Sequence, residues 1–385
     1  MFAVFAVFAV VSCSATSDSA GAFGDGSADG QSRDGDSFPD AGAPLLSVNG
    51  VVLVHAASFP AFRICFEGTK EELPLPSTDV MPESNVVGVE VGTAVRLPPL
   101  STAGARPLGR AFVFPELALR GLYPTFGGFG AGPTCATVLQ SHAADATEVG
   151  EISSDLSSGL HALILQGCRP LAGDPQATTA RCGDDWQAST GNLRLKALKL
   201  TAYMRRPEAP GFPVQIVQLS PGLERRRAGR SLGLAFGVLD REGGAPPAPF
   251  IQGNVPFGTP VPDPPAQLDY AASDLESYAT SGVFVTLGKA LDDAGAEIDG
   301  GLEAGTGEVV LSQSLEDIQR RSASRSLPPD WFAAASSYVV LSIGDTDPRF
   351  ADGGPDKDER RALHLLAIPL AAPVAAPPAA PDASR

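Results

Sequence analysis

An all-β fold of two β-sandwich units in tandem, with minor helical segments, is what the 385-residue sequence predicts, and three observations carry the prediction. Apolar residues between 45 and 370 recur mostly with period two, the strand period. Gly and Pro number 42 and 35, which favours turns and short elements over long helices. A weak repeat adds the tandem organisation. Val52-Leu53-Val54-His55, followed by Ser58 and Pro60, matches Gln215-Ile216-Val217-Gln218, followed by Ser220 and Pro221, 163 positions later. The segments 160–167 and 338–344 correspond as closing strands.

Residues 2–11 form an unbroken apolar run of ten. As a helix it would rise about 15 Å, half the ~30 Å hydrocarbon core of a bilayer, so it suits a secretory signal rather than a span. The run ends in Val10-Val11-Ser12-Cys13, which resembles the bacterial lipoprotein signal. The resemblance implies a signal peptide over 1–13 and acylation of Cys13. Ser14 in place of Asp resembles, in Gram-negative bacteria, export to the outer membrane, on its periplasmic or cell-surface face. Residues 14–44 are mostly Ser, Ala, Gly and Asp, with six Asp against one Arg. With little apolar surface to bury, this segment is expected to be a disordered acidic tether, reaching about 30 Å.

With Cys13 as the lipid site, four cysteines remain: Cys65, Cys135, Cys168 and Cys182. An even number in an exported chain predicts disulfides. Cys168 and Cys182 bracket a short Pro- and Gly-containing stretch that closes easily, so the expected pairs are these two and Cys65 with Cys135. There is no Cys-x-x-Cys, and His55, His142, His161 and His364 are scattered. No metal and no cofactor are expected.

In order along the chain, strands are expected at 51–55, 62–66, 86–91 and 160–165. A strand over 193–204 shifts its apolar phase from Leu193, Leu195 and Ala197 to Leu198, Leu200 and Ala202, as a bulge would require. Further strands are expected at 214–219, 232–238, 283–287, 338–343 and 363–368. In 62–66, Phe62, Ile64 and Phe66 alternate with Arg63, Cys65 and Glu67, leaving one face to bury. A short helix begins after Ser314, with Asp317 three residues on, and 269–278 is read as a second. The resulting organisation is a first β-sandwich (Ig-like) unit over 45–167, a disulfide loop and connecting strand over 168–204, a second unit over 205–370, and an Ala/Pro-rich tail over 371–385.

The segment Val54-His55-Ala56-Ala57-Ser58-Phe59-Pro60-Ala61-Phe62-Arg63-Ile64-Cys65-Phe66-Glu67-Gly68 resembles the opening of the bacterial domain-of-unknown-function family 4397. That family runs Val-His-Ala-Ser, a turn, then Pro-Ala-Val-Asp-Val-Tyr-Val-Asp-Gly. His55, Ser58, Pro60, Ala61 and Gly68 fall on the pattern, while the turn is shortened and Arg63 and Cys65 depart from it. The resemblance implies an exported, β-rich surface domain and carries over no catalytic residue.

The formal charge of −16 disfavours nucleic acid as a partner, because phosphate binders cluster Lys and Arg. Gly229-Arg230-Ser231-Leu232-Gly233 matches Gly-x-Ser-x-Gly, with Asp299 and His364 following. Glu224-Arg225-Arg226-Arg227 precedes it instead of a buried strand, and an alternating strand follows, so no catalytic residue is assigned and the protein is not read as an enzyme. The acidic loop Asp345, Asp347, Asp352, Asp356, Asp358 and Glu359 offers hard oxygen ligands to Ca²⁺, but its spacing fits a solvated loop better. The basic cluster Arg225, Arg226, Arg227 and Arg230 reads as a solvated hairpin tip. Phe126, Gly127, Gly128, Phe129 and Gly130 make a flexible, partly apolar interaction loop. The leading expectation is an outer-membrane-anchored surface lipoprotein, held in the membrane by its lipid, acting as a structural or binding module for a protein or polysaccharide ligand. The alternatives are a secreted serine hydrolase using Ser231 and a calcium-stabilised adhesin.

Overall fold

The structure is a computed structural model that describes residues 50–76, 88–97, 107–122, 132–153, 156, 159–203, 212–239, 249–268, 279–292, 294, 307–321, 337–351 and 353–370. All lie in one compact unit, Gly42–Arg385. Cys13, the tether, the 126–130 loop, the 269–278 segment, Asp299, Asp352 and the tail fall outside the described residues.

The chain is all-β, built from fifteen described strands in four sheets. The first half supplies β1 (Gly50–Ser58), β2 (Phe62–Phe66), β3 (Ala94–Leu97), β4 (Gly109–Pro115), β5 (Thr147–Ile152), β6 (Leu160–Cys168) and β7 (Arg194–Leu200), with short helices α1 (Glu116–Leu119), α2 (Cys135–Ser141) and α3 (Thr179–Cys182). The second half supplies β8 (Phe212–Gln218), α4 (Pro221–Arg227), β9 (Arg230–Val238), β10 (Ile251–Gly253), β11 (Val261–Leu268), β12 (Ser281–Ala290), β13 (Glu308–Ser314), α5 (Leu315–Arg321), β14 (Ser337–Ile343) and β15 (His364–Leu370). No described helix is long and apolar enough to cross a membrane.

Each half is a sandwich of an outer and an inner sheet. The inner sheets run β3-β1-β6-β7 and β11-β8-β14-β15, and the outer sheets β2-β4-β5 and β10-β9-β12-β13. The two inner sheets share one plan. The opening strand of the half lies parallel to its closing strand, with Val54 opposite Ile164 and Val217 opposite Leu341, and antiparallel strands flank the pair. The repeat read at 52–55 and 215–218 is this strand pair β1 and β8. Gly167, next to last in β6, and Gly344, just after β14, hold equivalent places in the closing strands with φ of +90° and +94°, where a Cβ would run into Asn192 O and Ala362 O. Only glycine makes both of these turns without strain.

Three cores separate the four sheets. Leu53, Phe62, Ile64, Val113 and Leu163 fill the first sandwich; Ile216, Leu232, Val285, Val340 and Leu365 fill the second. The third core joins the halves: Val52, Val54, Ala162 and Ile164 meet Val217, Val339, Leu341, Leu366 and Ile368. Successive strand residues point to opposite faces, so the central inner strands β1, β6, β8 and β14 bury both faces and read as near-continuous apolar runs, as in β14 (SYVVLSI), rather than alternating. Proline-rich β11 lies at a sheet edge, where missing N–H donors are tolerated.

Several sequence expectations are corrected. β7 carries no bulge: its register with β6 runs unbroken from Leu160–Leu200 to Gln166–Arg194. Its two apolar phases are its two faces, Leu195 and Ala197 toward the first core, Leu198 and Leu200 toward the third. β2 buries both faces, since Cys65 packs under Phe114, Leu119, Cys135 and Val138, and Arg63 is buried with Nη1 donating to Pro74 O and Pro76 O. In 86–91 the described residues hold a single bridge, Val89 to Phe62, rather than a strand. The Arg225–Arg227 segment is helical, not a hairpin tip. Ser220 Oγ caps it by accepting from Leu223 N at 3.2 Å, and Pro221 occupies its first turn. The helix expected after Ser314 is α5, with Asp317 N donating to Ser314 Oγ at 3.1 Å. The cysteines pair as expected, Cys65 with Cys135 and Cys168 with Cys182, each with Cα atoms 5.5 Å apart.

Candidate functional site

The parallel pairs in the inner sheets bring four strand C-termini to one end of the third core. There His55–Ser58, Gly167–Cys168, Pro221 and Ile343–Asp345 line a common recess. Loops of both halves close over it: the disulfide loop 168–182 from the first, and the 345–363 loop from the second.

Arg181, on α3, is the tie between them. Its side chain is 8% exposed, and its Nε sits 3.1 Å from Asp345 Oδ2. Its Nη2 donates to Ser58 Oγ at 2.8 Å, and Ser58 Oγ donates to Asp174 Oδ2 at 2.5 Å. The guanidinium stacks over Phe350, 5.4 Å from the ring centre. Burial raises the Asp345 carboxyl above its ordinary pKa despite the neighbouring Arg181.

Two histidines flank the recess. His55 is fully buried with Nδ1 3.0 Å from Val89 O, and its Nε2 has no hydrogen-bond partner. His364 places Nδ1 2.7 Å from Ala362 O and Nε2 3.0 Å from Gly92 O, across the two halves. A neutral ring has one N–H and donates to one of these carbonyls at a time. Burial pushes both histidines down to about 4. The recess itself holds about 40 Å³, space for a few water molecules.

Beside it, sharing Gly167 and Pro221, lies a larger cavity of about 290 Å³, at the lower end of the roughly 300–1,000 Å³ of small-molecule sites. Gln166 from β6, Cys182 from α3, Gly183–Asp185 and Asn192 from the stretch between α3 and β7, Arg194 from β7, Glu224 and Arg225 from α4, and Phe257 line it. Most of its polar atoms are used internally. Arg225 Nε and Nη2 donate to Asp184 Oδ1 at 3.1 and 2.6 Å. Arg194 and Asn192 both donate to Asp185, and although burial works to raise that carboxyl, these two bonds hold it below its ordinary value. Glu224 Oε1 accepts from Arg227 Nη2 at 2.6 Å. Two buried atoms are left without partners, Glu224 Oε2 and Gln166 Oε1; both are acceptors.

The residues singled out in the sequence are placed elsewhere. Ser231 is fully buried in β9, after a helix rather than before one, with Oγ 3.4 Å from Gln252 Nε2; the ring nitrogens of His364 face backbone carbonyls. The acidic loop directs its carboxylates to cations: Asp345 to Arg181, Asp347 to Arg349, Asp358 to Arg361 and Glu359 to Lys357. Among the described residues no group of three or more His, Cys, Asp or Glu side chains is placed to hold a metal ion. Arg226 and Arg230 both meet Glu308. His161 is buried in β6.

Gln166, Glu224 and Arg181 escaped the sequence reading. Gln166 had one local signal: it is a polar side chain on the inner face of an otherwise apolar strand, where a partner or ligand is needed to offset burial. Comparison of the chain with protein-family models, curated proteins and solved structures returns no match.

Proposed function

We propose that the chain is an envelope lipoprotein, anchored through Cys13, that acts as a binding module with its ligand site in the seam between its two sandwich units. The observation that carries the binding role is the 290 Å³ cavity at the seam, lined by residues of both halves, Gln166, Asp185 and Arg194 from the first and Pro221, Glu224 and Arg225 from the second. The Cys168–Cys182 disulfide and the inter-half core brace the cavity wall, which suits recognition more than turnover. The lipobox-like run, the acidic tether and the resemblance to domain-of-unknown-function family 4397 support the location. The burial of Ser231 and the commitment of His364 to carbonyls favour binding over hydrolysis.

Two measurements test the reading. Labelled palmitate should enter the wild-type protein and not Cys13→Ala; label that survives the substitution removes the anchor. Hydrogen exchange should show residues 182–185 and 221–225 better protected in protein extracted gently from envelopes than in the same protein unfolded and refolded without small molecules. Equal protection removes the seam ligand.

A further inference from the structure

Guanidinium groups in this protein are held in one recurrent way, and that arrangement names the kind of ligand the seam cavity takes, a step that rests on the binding role just proposed. Arg110 pairs with Glu67 at 3.1 Å and lies over the Phe112 ring, 5.5 Å from its centre. Arg349 pairs with Asp347 at 2.8 Å and lies 5.5 Å from the centre of the Phe350 ring; Arg181, paired with Asp345, lies over the same ring. In each case the carboxylate takes N–H groups in the plane of the guanidinium, and an aromatic ring covers a face, where there is no donor to lose.

Arg194 and Arg225 are paired in the same way but carry no ring. Arg225 donates from Nε and Nη2 to Asp184 Oδ1, and Arg194 donates to Asp185. Both are about half exposed and both line the cavity. The described rings that lie under a guanidinium are Phe59, Phe112 and Phe350, so among the described residues none covers either of these two. Their places are related through α4 and Gly183. Arg225 stands one turn after Pro221 on α4, so the two share a face of the helix. A Cβ on Gly183 would stand 3.8 Å from Pro221 Cβ and 3.2 Å from Oδ1 of Asp185, the partner of Arg194.

Charge does not select the occupant. Each lining carboxylate has its own cation, Asp184 with Arg225, Asp185 with Arg194 and Glu224 with Arg227, so an ion would have to displace one of these pairs. The apolar wall is Phe257 and Pro221, both half-buried. A cavity of about 150 Å³ takes benzene, and about 290 Å³ matches two fused rings. We propose that this cavity binds an uncharged aromatic compound of two fused rings, stacked on the open guanidinium face of Arg225, with Pro221 and Phe257 as its apolar wall and Arg194 at its border.

Titration calorimetry on the full-length folded protein tests this with four probes of one shape: naphthol, its saturated counterpart decahydronaphthol, naphthoate and naphthylmethylammonium. Naphthol should bind about threefold or more tightly than decahydronaphthol, the size of a stacked guanidinium's contribution, and more tightly than both ions. Arg225→Lys keeps a cation for Asp184 but has no flat face; it should weaken naphthol about threefold and leave decahydronaphthol unchanged. Phe257→Leu should weaken both neutral probes, with circular dichroism and unfolding midpoint showing both variants folded. If decahydronaphthol binds as tightly as naphthol and Phe257→Leu weakens both, the seam is a binding site but the aromatic proposal falls. If either ion binds more tightly than naphthol, charge selects the ligand and the proposal falls. If naphthol does not bind, or binds Arg225→Lys as tightly as the wild type, the proposal falls even where the exchange experiment on envelope-derived protein shows a protected seam.

Discussion

Arg181 Nε and Asp345 Oδ2 lie 3.1 Å apart, with side chains only 8% and 10% exposed, and they belong to different halves of the molecule. Removing one member leaves the other charge buried and unpaired, a change that costs about 3–5 kcal/mol. Arg181→Met should therefore lower stability by roughly 3 kcal/mol in urea unfolding. Arg181→Met with Asp345→Leu should lower it by less, since neither charge remains. With Asp345→Leu measured alone as well, a double loss equal to the sum of the two single losses would mean that the pair contributes nothing of its own.

Acid should loosen the same seam. His55 and His364 are held at about 4 when folded, against 6.5 for a free histidine. Between those values the unfolded chain binds protons that the folded chain refuses, so the stability these groups confer is full above pH 6.5 and falls as pH drops toward 4. At 1.36 kcal/mol per pH unit, each contributes about 3 kcal/mol across the window. Asp345, raised by burial, works in the opposite sense and returns some stability at the acid end. The unfolding midpoint should fall steeply from pH 6.5 to 4, and His55→Gln should flatten the curve. A midpoint independent of pH over that range would contradict the buried neutral rings.

The disulfides should differ in worth. Cys65–Cys135 closes 70 residues and Cys168–Cys182 closes 14, for which chain entropy gives about 4 and 3 kcal/mol. Paired Cys→Ala substitutions measured in urea should follow that order. Losing the shorter bridge should also weaken ligand binding in the seam, because Cys182 is part of the cavity wall.

Ser231 should stay unmodified by a fluorophosphonate under native conditions. A nucleophile needs a base within hydrogen-bond reach and room for substrate, and this serine is fully buried in β9. Stoichiometric labelling, abolished by His364→Ala, would reinstate a hydrolase.

Much of the fold was legible in the sequence. β1, β6, β8 and β14 announce themselves as apolar runs, and Ser314 with Asp317 announces α5. What the runs did not reveal is their partner: β1 pairs with β6 more than a hundred residues away, and such pairing leaves no local trace. The same holds for β7, whose two apolar phases resemble a bulge until both of its faces are seen to be covered. The site was less legible still. Gln166 and Glu224 share no motif; they line one cavity because the two halves pack together, and that packing is decided by surfaces, not by spacing along the chain. The cysteines were readable because a closed loop has a length that can be counted.

The apolar inner faces bear on how the chain can be divided. Neither half carries enough polar surface on its inner sheet to stand alone in water, so truncation near residue 204 should yield aggregates rather than a soluble domain. If the matching strand orders record a gene duplication, the single-copy ancestor faced the same difficulty. Its remedy would have been a second copy of itself, laid face to face. On that view the present chain is a homodimer that was fused, and the seam where it now gathers Gln166 and Glu224 began as a symmetric subunit boundary.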